Sequence, residues 1–188
     1  MTDVRRRHLS YVSRLDQRER NDIDLVVIHC TELPDLAMAR EFGERIHYPG
    51  STTGNSGHFY IDRDGSAEEW VPIERIAHHA DIHNERSVGV ELVNRGRYPD
   101  WYDSRRQELT EPYPQSQILS LVRLLTGLQQ ALPSLTWLAG HEHLDRRLVV
   151  ASDDAARTVL RKRDPGPLFP WEQVLDQVTL RLFDLRQS

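Results

Sequence analysis

The chain has 188 residues, 38% of them hydrophobic and 28% charged, which suits one domain around a single packed core. Its one cysteine, Cys30, excludes an internal disulfide and a cysteine-rich metal module, and a net charge of −5 offers no basic field for nucleic acid. No apolar run approaches the ~20 residues that span a bilayer, and the basic start MTDVRRR is not followed by the apolar stretch of a secretory signal. A cytoplasmic protein with no membrane or nucleic-acid partner is therefore expected.

Residues 1–22 read as an N-terminal arm, whether gate, packing arm or unstructured tail, ahead of one domain over residues 23–188. Ile23 to His29 is a β-branched run suited to a buried strand. Leu36 to Tyr48 has helical character and stops at Pro49-Gly50. Gly57 to Asp62 and Ala67 to Val71 flank Arg63-Asp64-Gly65-Ser66, a hairpin signal centred on Asp-Gly. Ser87 to Val93 is a further strand. Asn94 to Pro114 follows as a long polar loop whose Tyr98, Trp101, Tyr102 and Tyr113 either stack on a substrate or pack the loop against the body. Gln115 to Leu132 carries apolar residues at 118, 119, 121, 122, 125 and 128, an amphipathic helix ended by Pro133. Thr136 to His141 reads as a strand, Ser152 and Asp153 as caps of a helix running to Arg161, and Trp171 to Leu185 as a C-terminal helix. Strands alternating with helices and one hairpin imply an α/β fold with a mixed central β-sheet flanked by helices.

The chemistry-bearing residues stand at the strand ends. His29 closes one strand and His141 another, and ligands converge at such ends of an α/β sheet. Asp164 sits before Pro165, which favours an extended backbone there. Two histidines and one carboxylate with an open position form the ligand set of a catalytic zinc, so one Zn²⁺ is expected at His29, His141 and Asp164. Residues two apart in an extended chain point the same way, so Lys162 and Asp164 share a cavity while Cys30 turns away from His29. Of 24 basic residues Lys162 is the single lysine and 23 are arginine, which fits a site that uses a compact ammonium as oxyanion stabiliser. Glu91 lies in the apolar run SVGVELV, either on an exposed strand face or as a base beside the metal. The pairs His141/His143 and His79/His83 also have metal-ligand spacing, without an evident third ligand.

These blocks resemble a known family. A strand ending in His29, then SGHFYIDRDG (56–65), IAHHAD (76–81), SVGVELVN (87–94), AGHEHLD (139–145) and RKRDPGP (161–167), is similar to the zinc-dependent N-acetylmuramoyl-L-alanine amidases. That family includes the cytoplasmic anhydro-muropeptide recycling amidases and shares the fold of peptidoglycan recognition proteins. The resemblance spans Ile23 to Trp171. It implies that His29, His141 and Asp164 are the zinc ligands, Glu91 the catalytic glutamate and Lys162 the transition-state-stabilising lysine. It matches His79 to the histidine of the family's Trp-His-Ala-Gly stretch, with His78 in place of the tryptophan and Asp81 of the glycine. His79 and His58 are then expected to bind substrate, His58 alternatively supporting the site from behind. Members of the phage lysozyme type have a tyrosine where Gly57 stands and a cysteine as third ligand; here the tyrosine is absent, and Glu91 with Asp164 puts this chain nearer the recycling type. The implied activity is hydrolysis of the amide between N-acetylmuramic acid, or its 1,6-anhydro form, and L-alanine of a stem peptide, by a monomer acting in cell-wall recycling. A non-catalytic muropeptide-binding module and an exported wall-lytic amidase are the alternatives.

Overall fold

In the computed structural model, which describes residues 4–183, the elements run β1 (Val4–Arg6), β2 (Leu25–Cys30), α1 (Leu36–Glu44), β3 (Phe59–Ile61), β4 (Ala67–Glu69), β5 (Ser87–Leu92), α2 (Gln115–Ala131), β6 (Trp137–Gly140), α3 (His141–Leu144), β7 (Leu148–Val150), β8 (Thr158–Leu160), α4 (Trp171–Leu175) and β9 (Arg181–Leu182). Seven strands form one mixed sheet in the order β1-β4-β3-β5-β2-β6-β9. Only β3 and β4 pair antiparallel in it, through the Asp-Gly hairpin; every other neighbour is parallel.

Side-chain parity splits this sheet into two faces. Val26 and Ile28 of β2, Val88, Val90 and Leu92 of β5 and Leu138 of β6 pack with Ile118, Leu121, Leu125 and Leu128 of α2. The opposite parity, Leu25, Val27, Ala139 and then His29, faces the other way. That second face is covered in part by α1, whose N-cap Asp35 accepts from the Met38 amide at 2.8 Å. Residues 4–22 belong to the same body: β1 extends the sheet edge, and Leu9, Tyr11 and Leu15 are buried beside Tyr60 and Trp70.

Three expected helices differ. The first ends at Glu44 rather than Tyr48, because the Tyr11 hydroxyl donates to the Gly43 carbonyl and the backbone at Gly54 closes directly on the carbonyls of residues 43 and 45. The segment from Ser152 to Arg161 forms no helix. It turns from β7 into β8, an antiparallel pair in which Val159 faces inward between exposed Thr158 and Leu160. Asp153, the expected cap, instead accepts from the amide and hydroxyl of Ser104 in the 94–114 loop. The C-terminal helix stops at Leu175; Leu180 is then buried and β9 pairs with β6. The last residues expected in that helix, 184 and 185, lie outside the described residues. No helix among the described residues is long and apolar enough to cross a membrane.

Candidate active site

Register across the sheet puts the candidate groups in one row. In the pairing of β3, β5 and β2, Tyr60 stands opposite Glu91 and Glu91 opposite His29. Gly140 stands opposite Ile28, so His141 falls beside His29 on the same face. The row lines the wall of a cavity of about 780 Å³, a size that holds a small ligand. Lys162, Asp164, His79, Trp101 and Tyr102 line the same cavity.

His29, His141 and Asp164 converge. Asp164 Oδ2 lies 2.9 Å from His29 Nδ1 and 3.2 Å from His141 Nδ1, and all three side chains are buried. One ligand atom from each lies within 4.8 Å of the others, the single such group of histidine, cysteine and carboxylate side chains among the described residues. Asp164 Oδ1 is buried without a hydrogen-bond partner there. A buried carboxylate with Oδ2 against two imidazole nitrogens and Oδ1 left unpartnered is costly unless a cation completes it, so the set fits one Zn²⁺. Burial raises the Asp164 carboxyl, but His141, His29 and Lys162 outweigh it and hold it well below the usual carboxylate range. The alternative pairs do not assemble: His143 Nδ1 accepts from the Gly140 amide, and the His83 ring lies against Phe183.

Glu91 is half-buried, its carboxyl raised by burial and by Asp164 and Glu32, against lowering by His29 and Lys162. Gly57 makes room for it, since a Cβ there would stand 2.8 Å from Glu91 Cγ. The departure from tyrosine at Gly57 is thus a steric condition on this glutamate. The expected same-side arrangement of Lys162 and Asp164 holds. Cys30 turns to the other face, its thiol against the Tyr113 hydroxyl.

Of the two expected substrate contacts, His58 does not line the cavity and His79 lines it with its ring engaged. His58 is fully buried: its Nδ1 accepts from the Gly89 amide, and its Nε2 lies 3.0 Å from the Arg75 carbonyl. Burial and the nearby Arg18 guanidinium push it down to about 3, so it is neutral, and its ring stands edge-on to that of His79. His79 lines the cavity but its ring is engaged. His79 Nδ1 is 3.0 Å from His29 Nε2, and His79 Nε2 is 3.3 Å from Ser87 Oγ. With His29 Nδ1 committed to a cation, its Nε2–H donates to His79 Nδ1, His79 Nε2–H donates to Ser87 Oγ, and that hydroxyl donates to the His83 carbonyl at 2.7 Å. This chain satisfies each group and fixes which His29 nitrogen is free. Gly89 permits it, because a Cβ there would fall 2.7 Å from the His79 ring. Asp81, standing where the family motif has glycine, adopts φ 54, a left-handed conformation that aspartate tolerates better than most residues.

Sequence reasoning did not single out Ser87 and Gly89, nor Arg97 and Glu32. The signal for the first two was present: a glycine inside an apolar strand, sharing the face of Ser87 and Glu91, marks a close approach by another group. Of the loop aromatics, Trp101 and Tyr102 line the cavity, while Tyr98 packs on the cluster beneath α1 and Tyr113 packs on Phe169.

A family model described as N-acetylmuramoyl-L-alanine amidase matches residues 19–167. The N-acetylmuramoyl-L-alanine amidase AmiD of Escherichia coli (strain K12) is 33% identical over 124 residues, covering 61% of this chain and 39% of that protein. The solved complex of E. coli AmiD with anhydro-N-acetylmuramic acid-L-Ala-D-gamma-Glu-L-Lys superposes with a TM-score of 0.63 at 23% identity, over 91% of this chain and 63% of that one. Peptidoglycan recognition protein-LE, solved with tracheal cytotoxin, gives 0.67 at 12% identity over the full length of both chains. At those identities the two superpositions speak for the fold alone, and the chain spans about two fifths of the curated relative's length.

Proposed function

The chain belongs to the N-acetylmuramoyl-L-alanine amidase family, and from that premise we propose that it hydrolyses the amide joining N-acetylmuramic acid, in its soluble 1,6-anhydro form, to L-alanine of a stem peptide, with one zinc ion, in the recycling of wall fragments. The observation that carries the reading is the meeting of the buried His29, His141 and Asp164 side chains, with the second Asp164 oxygen left unpartnered and Glu91 one strand away in register. AmiD, the curated relative, bears the name of this activity and is solved with an anhydro-muropeptide, which favours that substrate class.

His29, His141 and Asp164 would hold the metal, and Zn²⁺ bound there supplies Lewis-acid polarisation and a lowered pKa for water. The Glu91 carboxylate, whose proton affinity burial raises above the ordinary value, removes a proton from the water that attacks the lactyl carbonyl. The Lys162 ammonium offsets the negative charge that builds on the carbonyl oxygen. Glu91 then returns the proton to the alanine nitrogen as the carbon–nitrogen bond breaks, leaving a carboxylate on the sugar and a free peptide amine. His79 holds the His29 ring through this cycle, and Trp101 and Tyr102 offer apolar faces for the sugar or peptide.

The test is incubation of the purified chain with soluble anhydro-muropeptide and with intact sacculi, followed by mass analysis. Freed stem peptide from the soluble substrate, far faster than from sacculi, is expected. Binding without cleavage would make the chain a recognition module, and preference for sacculi would make it a wall-lytic enzyme.

A further inference from the structure

The 94–114 segment holds no helix or strand, yet it ends one side of the cavity and contributes one fully engaged side chain. Arg97 is 1% exposed in its side chain. Its Nε donates to Glu32 Oε1 at 2.7 Å and its Nη2 to Glu32 Oε2 at 2.8 Å, a bidentate pair. Nη2 also reaches the Arg161 carbonyl at 3.3 Å, and Nη1 reaches the Leu160 carbonyl at 3.0 Å and Gln107 Oε1 at 3.2 Å. A guanidinium has five N–H groups, and here each has an acceptor.

The acceptors come from three places in the chain. Glu32 follows His29 by three residues at the end of β2. Gln107 belongs to the loop itself. The carbonyls of residues 160 and 161 immediately precede Lys162, and the segment is held from its other side where the Glu142 amide donates to the Asp164 carbonyl at 2.9 Å. The backbone is shaped for this contact: Glu32 and Gly96 both have positive φ, and a Cβ on Gly96 would stand 2.6 Å from Glu32 Cγ. The Trp101 indole nitrogen donates to the Glu32 carbonyl at 3.1 Å, so the same residue that takes the guanidinium anchors a cavity wall.

We infer that Arg97 is a positioning residue that clamps the segment bearing Lys162 and Asp164 to the end of the strand bearing His29, setting the separation between the two halves of the site. A buried ion pair that served the scaffold alone would need only Glu32 as partner. Arg97 spends two of its donors on the backbone before Lys162, and a lysine, a point charge with three donors, cannot reproduce this planar five-bond pattern. The kinetic part of the inference rests on the amidase reading above; the structural part does not.

Arg97→Lys keeps a cation against Glu32, and the double variant Arg97→Met with Glu32→Gln removes both charges together, so neither leaves a buried unpaired ion. Hydrogen–deuterium exchange of wild type and both variants is followed at residues 161–164 and at β2, with zinc affinity, thermal melting, kcat and KM on anhydro-muropeptide. Both variants are expected to exchange at least ~10-fold faster at 161–164 with β2 unchanged, to bind zinc more weakly, and to lose at least ~10-fold in kcat with KM within threefold. Unchanged exchange at 161–164 would overturn the inference, as would wild-type kcat in the double variant. Global unfolding of Arg97→Lys would equally overturn it, by making the residue a general scaffold member. If the wild type itself cleaves nothing, the amidase reading fails while exchange and zinc affinity still decide the clamp.

Discussion

His79→Phe isolates the link between His29 and the groups behind it. The replacement keeps a ring over Gly89, where no Cβ competes for the space, and removes the nitrogen 3.0 Å from His29 Nε2. In the metal-loaded protein His29 Nε2–H then has lost its acceptor in a site where His29 is 3% exposed. An orphaned buried donor costs about 1–3 kcal/mol, and loss of an outer-shell partner of a metal ligand weakens metal binding by roughly 10–100-fold. The two agree, because 10–100-fold is about 1.4–2.7 kcal/mol. Titration of zinc into apo protein against a chelator of known affinity reads this directly, and kcat at saturating zinc should fall far less than the affinity does. Ser87→Ala, one step further along the same chain, should weaken zinc binding less. A zinc Kd within twofold of wild type in His79→Phe, with the fold intact by circular dichroism, would refute the proposed proton chain and return His79 to a substrate contact.

Other outcomes follow from the same geometry. Lys162→Ala should lose at least ~10-fold in kcat while retaining zinc, checked by turnover and metal content in one preparation. The Lys162 cation lowers Glu91, so removing it should also move the acid limb of kcat to higher pH; an unmoved limb would separate the two groups. Glu91 is held above its ordinary value by burial, so the stability tied to its protonated form is complete at acid pH and declines as pH rises through the raised pKa. Metal-free Glu91→Gln should therefore melt above wild type at pH 8, with the difference closing near pH 4, and should be nearly inactive. Gly57→Ala should fold but lose at least ~10-fold in turnover, since the new Cβ would displace Glu91; turnover within twofold of wild type would show that the carboxylate tolerates the shift.

Much of the site was readable from parity. The odd residues of β2 and β5 put His29 and Glu91 on one face and Cys30 on the other, and the two-residue step from Lys162 to Asp164 worked in the same way. Short-range signals also served where the answer was local: the Asp-Gly turn between β3 and β4, and the apolar stripe of α2. They failed where long-range partners decided. Ser152-Asp153 has the composition of a helix cap, but Asp153 is taken by Ser104 and Val159 by the interior, so a hairpin forms. Tyr11, 32 residues upstream, helps to end α1. His58 and His79 carried no mark separating substrate contact from support, because that depends on the His79 ring lying against Gly89 and on His58 Nδ1 taking the Gly89 amide, contacts that only the fold creates. Arg97 looked like any arginine of a polar loop; only the fold brings Glu32 and the carbonyls of 160 and 161 around it.

The central claim is most directly tested by stripping the protein of metal, restoring zinc to one equivalent, and locating that ion by anomalous diffraction while amide cleavage is assayed on the same samples. The account predicts one zinc per chain bonded to His29, His141 and Asp164, with cleavage lost on stripping and regained on reloading. Zinc at another place, or full cleavage by the stripped protein, would contradict it.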